Sequence, residues 1–512
     1  MRLRLAGVAA IAALAVVAAG CGAEKAQRTT ITSPAYGPRP GDPRIAVTVS
    51  SRAPSIPIPH SYLGISTEYW GINHFGQFMT DYERVLSLLR VPGDGPFVLR
   101  IGGDSADHAV LDLPRVRLPA GIFDVHAHWL RLVSTLVDAL HARLIFDLNG
   151  VTDTPLMARG WAHAAMTELP RGSLMDYEIG NEPDLYSRRY WASVFAPVEP
   201  LVRDLPDFVT PTSYVKLFGT YSAVLSRISP RTGLAGPVIA YPAVALDWIS
   251  TLLKGPHPDL TLVSAHEYPY SGCVPKLSPS YATIGKVLSE DATAEMAADV
   301  RPAVVLAHRA GFPLRLTELN SVTCGGRLGV SNTFATALWA PDALFELMRA
   351  RVNGVNIHVR AYAINGAFGL GPNRIVPHPL LYGMILFARM LGPDARLLDA
   401  KLAIPASLHV KAWAVRVGSN DLRVLLINKG RHRVHAALRL PAVARASVER
   451  LLAPSVRATT GETLDGQQLG VHETWVGRAT AETIKPSAGR YELTLPPGSA
   501  ALLRVQTEAR AR

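Results

Sequence analysis
Short apolar runs that close on polar residues recur eight times between residues 62 and 359. They cover 63–68, 97–104, 144–149, 175–182, 237–240, 260–266, 312–318 and 355–359. Runs of this length, bounded by loop-forming residues, predict strands buried on both faces. The stretches between them carry a helical period. In 128–141, Leu130, Val133, Leu136, Val137 and Leu140 share one helical face, and 214–228 and 333–348 read in the same way. Alternating strands and helices imply a parallel sheet, and eight strands over about 300 residues fit a (β/α)8 TIM barrel with insertions. A doubly wound open sheet is the competing architecture, but no glycine-rich phosphate loop follows the first strand. The polar residues also gather at the C-terminal ends of the runs, the face on which barrels build their active sites.

The period changes after Gly392. Short runs at 408–415, 422–428, 433–440, 448–452, 490–495 and 500–505 are divided by Gly, Pro and Asn, with no helical stretch between them. They predict an all-β sandwich over 393–512. The alternating segment 44–49 supplies it with a further strand, so that 44–56 joins the sandwich and 57–392 forms the barrel.

The first residues stand apart. Arg2 and Arg4 precede an apolar run that closes at Gly20-Cys21, the pattern of an export signal over 1–20. At about 15 residues the run is shorter than the roughly 20 needed to cross a bilayer. Val17-Ala18-Ala19-Gly20-Cys21 resembles a bacterial lipoprotein cleavage site, with Ala18 where leucine is usual. That resemblance implies a lipid on Cys21 and a place on the outer face of the membrane, with plain secretion as the alternative. The Thr-, Pro- and Gly-rich 21–43 then reads as a flexible tether.

Composition narrows the classes. Hydrophobic residues make up 48% of the 512 and charged residues 18%, which supplies a packed core and excludes a disordered chain. The net charge of +11 is spread along the chain without Lys/Arg runs, which argues against nucleic acid and permits an acidic glycan. Three cysteines exclude a disulfide-dense scaffold and a Cys-rich zinc module. With Cys21 set aside, Cys273 and Cys324 are an even pair in an oxidising compartment. They form a disulfide if their Cα atoms lie about 6 Å apart, and are two buried thiols otherwise. The 16 histidines show no metal-ligand spacing, so neither metal nor cofactor is expected, and no Gly-x-Ser-x-Gly elbow points to a serine hydrolase. Trp70, Trp161, Trp191 and Trp339 are scattered and read as core packing.

Two carboxylates carry the chemistry. Ile179-Gly180-Asn181-Glu182-Pro183 closes the fourth strand, with Pro183 read as ending it by removing a ladder donor, and Leu316-Thr317-Glu318 closes the seventh. In a closed barrel both side chains reach over one mouth. Glycoside hydrolysis needs such a pair, one group to protonate the leaving oxygen and the other to attack or to activate water. Either glutamate alone would be an ordinary loop carboxylate.

These residues resemble the clan of retaining (β/α)8 glycosidases, and more narrowly glycoside hydrolase family 79, the heparanase and microbial β-glucuronidase group. The resemblance covers about residues 45 to 506. It rests on Asn181-Glu182-Pro183 and Glu318, and on Arg100-Ile101-Gly102-Gly103-Asp104-Ser105 after strand two. His266-Glu267-Tyr268 after strand six, Gly325-Gly326 after the second glutamate, and the ending Leu495-Pro496-Pro497-Gly498 add to it. It implies a barrel with a supporting sandwich and a double-displacement mechanism. Glu182 would be the general acid/base, which must hold a proton when substrate arrives, and Glu318 the ionised nucleophile. Asn181 would bond the sugar 2-hydroxyl, and Tyr268 would donate to Glu318. Glu68, Asp104 and Ser105 would meet ring hydroxyls, and His266 would be an orienting core histidine. The Gly325 and Gly326 amides would hold a uronic carboxylate together with a tyrosine after strand eight. Tyr362 is the candidate for that last task, but it does not stand in the family's register, which leaves uronic specificity open. The resemblance also places Cys273 and Cys324 on adjacent loops, which favours a disulfide that fixes the nucleophile loop.

The leading expectation is an exported retaining β-glycosidase for β-linked glucuronosides. The alternatives are the same mechanism on glucose or galactose, and a surface polysaccharide-binding protein without turnover.

Overall fold
The computed structural model describes residues 29–31, 37–50, 53–111, 122–151, 155–187 and 209–506. Cys21, the export pattern and Trp191 lie outside them. Among the described residues no helix is long and apolar enough to cross a membrane.

Eight parallel strands close into a barrel. In chain order they are Leu63–Glu68, Val98–Gly102, Arg143–Leu148, Leu174–Ile179, Gly233–Ile239, Leu260–Glu267, Leu314–Leu319 and Gly354–Val359. The ring shuts where the eighth pairs with the first, Val355 beside Leu63 through Val359 beside Thr67. Each strand corresponds to one of the apolar runs read from the sequence. Outward side chains such as Leu99, Ile101, Leu144 and Phe146 pack under the surrounding helices. Inside the barrel, Val98, Ile145, Ala235 and Leu262 form a small apolar plug, above which the inward residues turn polar. Trp161 and Trp339 are buried in the core, and Trp70 lies edge-on to His108.

Two sheets form the sandwich. The larger runs Thr29–Ile31, Thr480–Ile484, Ala446–Leu452, Ser499–Gln506, Asp421–Asn428, Val410–Val417, Arg396–Leu398 and Ile56–Pro57, and the smaller Ala400–Ala403, Arg44–Val49, Val434–Arg439 and Tyr491–Leu495. Arg44–Val49 lies between Ala400–Ala403 and Val434–Arg439, its alternate residues Ile45, Val47 and Val49 turned into the sandwich core. Thr29–Ile31, inside the stretch read as a flexible tether, instead pairs in parallel with Thr480–Glu482. Its three residues carry no apolar alternation long enough to announce a strand.

The larger sheet is covered on both faces, which is why all eight positions of Asp421–Asn428 are buried. One face meets the smaller sheet. The other meets barrel helices Phe334–Arg349 and Pro379–Ala388 through Trp413, Leu425, Ile427 and Leu502. Asp342 of the first helix, itself fully buried, takes the Lys429 ammonium and the Trp413 indole N–H, so the two layers are also tied by charge. The sandwich thus braces the side of the barrel and leaves its C-terminal mouth clear.

Candidate active site
Arg100 organises the interior below the mouth. Its guanidinium is fully buried and donates from Nε to Glu178 (2.6 Å) and from Nη1 to Glu318 (2.5 Å). Its Nη2 donates to Asp147 (2.8 Å) and to Asn181 Oδ1 (3.0 Å). The side chain passes close by Gly102, where a Cβ would lie 2.6 Å from the Arg100 Cζ, so this strand end has to be glycine. Three carboxylates face this one cation. Burial pushes the Asp147 carboxyl well up, with Arg100 opposing the shift and Glu178 reinforcing it.

Glu182 sits three residues beyond the end of the fourth strand, on a turn with unusual backbone. Gly180 has φ +74° and Glu182 φ +51°, both in the left-handed region. A Cβ on Gly180 would come within 2.5 Å of the Tyr186 hydroxyl oxygen. The turn is over-determined by its neighbours. Asn181 N–H donates to Tyr186 Oη (2.9 Å), whose O–H donates to the buried Asp107 (2.6 Å), and Glu182 N–H donates to the Val238 carbonyl (3.0 Å). Strained backbone of this kind persists where the surroundings impose it. Pro183 does not end the strand. The strand stops at Ile179, and Pro183 opens a one-turn helix, Pro183–Leu185, where its missing N–H costs nothing.

Glu318 lies in the last turn of strand seven, re-aimed by a register break between Leu316 and Leu319. Tyr268 O–H donates to its Oε2 (2.8 Å), and Arg100 holds Oε1. The fully buried His266 stands between the two glutamates, with Nδ1 2.8 Å from Glu182 Oε1 and 3.8 Å from Glu318 Oε2. Carboxylate oxygens of Glu182 and Glu318 and a ring nitrogen of His266 all lie within 4.8 Å of one another, the one grouping among the described residues spaced to hold a metal ion as well. Burial alone would raise the Glu318 carboxyl, but His358, His266, Arg100 and the Tyr268 hydroxyl outweigh it and hold the group well below the usual carboxylate range.

Above the pair opens a cavity of about 320 Å³, lined among others by Glu68, Asp104, Tyr241, Gly325, His358 and Arg360. Glu68 is buried, accepts the Ser105 N–H (2.9 Å), and lies 3.5 Å from His358 Nε2 and 3.3 Å from Arg360 Nε. Burial raises its carboxyl, yet His358 and Arg360 win and the net shift is downward. Asp104 moves the other way. Burial, then the Glu68 and Glu182 charges, push it above its ordinary value, opposed by Arg360 and screened by water at a side chain 39% exposed.

Comparison with known proteins finds glycosidases. Residues 412–502 match the model of the glycosyl hydrolase family 79 C-terminal β domain. The chain is 26% identical to a β-glucuronidase of Aspergillus niger, over 90% of this chain and 94% of that protein, and 25% identical to one of Neurospora crassa, over 75% and 74%. In fold it resembles the solved 4-O-α-L-rhamnosyl-β-D-glucuronidase of Fusarium oxysporum, with TM-score 0.71, 18% identity and coverage of 90% of this chain and all of that one. The chain is a glycoside hydrolase similar to these β-glucuronidases, and it carries a family 79 C-terminal β domain.

Within this glycoside hydrolase the residues singled out from sequence divide into those that line the cavity, those behind it and those left outside. Glu68, Asp104, Glu182, Tyr268, Glu318 and Gly325 line the cavity. Asn181, Ser105 and His266 stand behind it. Asn181 rests on Arg100, and Ser105 is fully buried, its Oγ accepting the Tyr69 N–H and donating to the Gly102 carbonyl. Gly326 and Tyr362 are not brought in. The Gly326 N–H is taken by the Thr323 carbonyl (3.0 Å), and a Cβ on Gly326 would lie 2.8 Å from the Asn365 Cβ, so this glycine serves close packing. Tyr362 is 72% exposed with its ring against His74. Strand eight ends at Val359 and a turn follows, which swings Tyr362 outward. Cys273 and Cys324 form a disulfide with Cα atoms 5.9 Å apart, joining the loops after strands six and seven at the cavity wall.

Sequence reasoning missed Arg360, His358, Asp147 and Glu178. Strand parity would have found them. Asn356, His358 and Arg360 alternate with Val355, Ile357 and Val359, as Asp176 and Glu178 alternate with Tyr177 and Ile179.

A pH profile checks the electrostatics. Because Glu318 is held ionised below the ordinary glutamate value of 4.5, kcat/KM should persist as pH falls to about that value. An acid limb near pH 6 would contradict the arrangement. Stability follows the same sign. The ionised Glu318 contributes fully above 4.5, and the contribution is lost only as pH falls through the folded-state value.

Proposed function
We propose that this chain is a family 79 glycoside hydrolase that cleaves β-linked glucuronosides with retention of configuration. The observation that carries the reading is the approach of the Glu182 and Glu318 oxygens to within 4.8 Å, close to the separation of about 5–5.5 Å used for direct attack and well short of the roughly 6.5–9.5 Å of inverting pairs. In the first step a Glu318 oxygen bonds to the anomeric carbon, the bond from that carbon to the leaving oxygen breaks, and Glu182 gives that oxygen its proton. In the second, the Glu182 carboxylate takes a proton from water, the water oxygen bonds to the anomeric carbon, and the ester to Glu318 breaks. Tyr268 and Arg100 keep Glu318 ionised and aimed, and His266 holds Glu182 against it.

The relatives' glucuronidase activity supports the sugar, and so does Arg360, the one Lys or Arg that lines the cavity among the described residues. With Tyr362 outside, Arg360 and the Gly325 amide supply the positive and N–H groups that a uronic carboxylate needs beside four acidic side chains. The basic and apolar start that closes at Gly20-Cys21 supports export of the chain with a lipid on Cys21.

A panel of aryl β-glycosides tests the substrate. Turnover of the glucuronide, with the glucoside and galactoside at least about 100-fold slower, is the expected outcome, since a buried site built for a charged group rejects analogues that lack it. Turnover of neutral glycosides alone would return the reading to a neutral sugar, and inertness to the whole panel would favour a binding protein.

A further inference from the structure
The two walls of the cavity differ in chemistry. Glu68, Asp104 and Arg360 make one side polar and charged, suited to the hydroxyls and acid of the sugar being cleaved. Beside Glu182 the wall is made by Leu185, Ala240 and Tyr241. Under the mechanism proposed above, Glu182 protonates the leaving oxygen, so whatever that oxygen carries must extend along this second wall.

We propose that Tyr241 is the platform on which the leaving group rests, and that it selects glycosides whose leaving group presents a flat apolar face, such as an aryl ring or the C–H face of a second sugar. This inference rests on the assignment of Glu182 as acid/base. The Tyr241 side chain is 48% exposed, and among the described residues it has neither a ring contact nor a hydrogen bond. A half-exposed aromatic without a partner at the edge of a catalytic cavity offers ready contact area, because a tyrosine brings a large rigid face at little cost in side-chain freedom. Its backbone is held in place relative to Glu182. The Ala240 N–H donates to Asp184 (2.9 Å), two residues past Glu182, and the Val244 and Ala245 N–H groups both donate to the Tyr241 carbonyl (3.1 and 3.0 Å). Burial first, and then the Glu182, Asp184 and Glu267 carboxylates, hold the phenol above its ordinary value, so the ring is neutral across the working range. Val244, 82% exposed three residues on, continues the apolar rim outward.

The test compares leaving groups on one sugar. Wild type, Tyr241→Ala and Tyr241→Phe are assayed on methyl, aryl and disaccharide β-glucuronides, with melting temperatures as the check on folding. The aromatic contact predicts that Tyr241→Ala lowers kcat/KM for the aryl and disaccharide substrates by roughly five- to tenfold more than for the methyl glycoside. Tyr241→Phe, which keeps the ring, should retain the preference. Equal losses on all three substrates, or no loss on any, would overturn the platform. Failure of the glucuronide reading looks different, because wild type itself would be slow on glucuronides. The same leaving-group series on the neutral glycoside it does cleave then reads Tyr241, and inertness to every glycoside would overturn both proposals.

Discussion

Glu318→Gln is expected to reduce kcat by about 10⁴-fold or more on every substrate, because an amide cannot form the glycosyl ester through which both steps pass. The effect should not depend on the leaving group, and no small nucleophile should restore glucuronide. Glu182→Gln should behave differently. On an alkyl or sugar leaving group the loss is expected to be roughly 10²–10⁴-fold. On an activated aryl leaving group, which departs without a proton, the first step should survive and the glycosyl ester accumulate. Added azide then attacks that ester in place of activated water, and a β-glycosyl azide appears. The pair of variants thus separates the roles by product and by leaving-group dependence as well as by rate. A Glu318→Gln variant that keeps activity would falsify the nucleophile assignment, and formation of the β-glycosyl azide by that variant instead of by Glu182→Gln would exchange the two roles.

The second large effect is on stability. Arg100 is fully buried and is the shared partner of Glu178, Asp147 and Glu318. Arg100→Met removes the cation and leaves the acids facing one another without water, a change that costs about 3–5 kcal/mol in comparable buried pairs. We expect a lower urea midpoint at pH 7 and little or no activity, since Glu318 loses one of the groups that keep it ionised. The sign of the pH dependence is informative. Without Arg100 the buried carboxyls titrate higher in the folded than in the unfolded chain, so the folded chain binds more protons and its stability rises as pH falls. The deficit of Arg100→Met should therefore shrink between pH 7 and about pH 5. Arg100→Lys should recover only part of the loss, because a point charge cannot serve in-plane partners on three sides of a guanidinium. An unchanged midpoint in Arg100→Met would mean that the acids are solvated or already neutral.

The barrel was legible because its strands are buried on both faces and end in chemically distinct residues. Apolar runs such as 63–68 and 314–319 have no other role in a chain of this composition. Parts of the sandwich were harder. Arg396–Leu398, Ala400–Ala403 and Thr480–Ile484 are short and carry charged or polar residues, and their partners lie far off in sequence. At the site, Glu182 and Glu318 could be found from strand ends and resemblance. Strict alternation from the buried Arg315 would have turned Glu318 away from the mouth, and only the break in register between Leu316 and Leu319 brings it in. A bulge leaves no mark in composition. Arg360 is masked for a different reason, since the family pattern has a tyrosine after strand eight and Tyr362, which a turn places outside, is the residue that fits it by sequence. The contacts of the Arg100 cluster could not be read because Arg100 stands on strand two and its acidic partners on strands three, four and seven, and only barrel closure brings them together.

The strand Arg44–Val49 carries a consequence for how the chain is made. Its hydrogen-bonding neighbours, Ala400–Ala403 and Val434–Arg439, emerge from the ribosome several hundred residues later. At the usual pace of synthesis that is a wait on the order of tens of seconds, during which Ile45, Val47 and Val49 form one side of an unsatisfied edge. The sandwich cannot be finished by either end of the chain alone. A product that stops between residues 360 and 399 would carry a complete set of barrel strands together with an orphaned, aggregation-prone strand, so premature termination removes more than the segment that is missing.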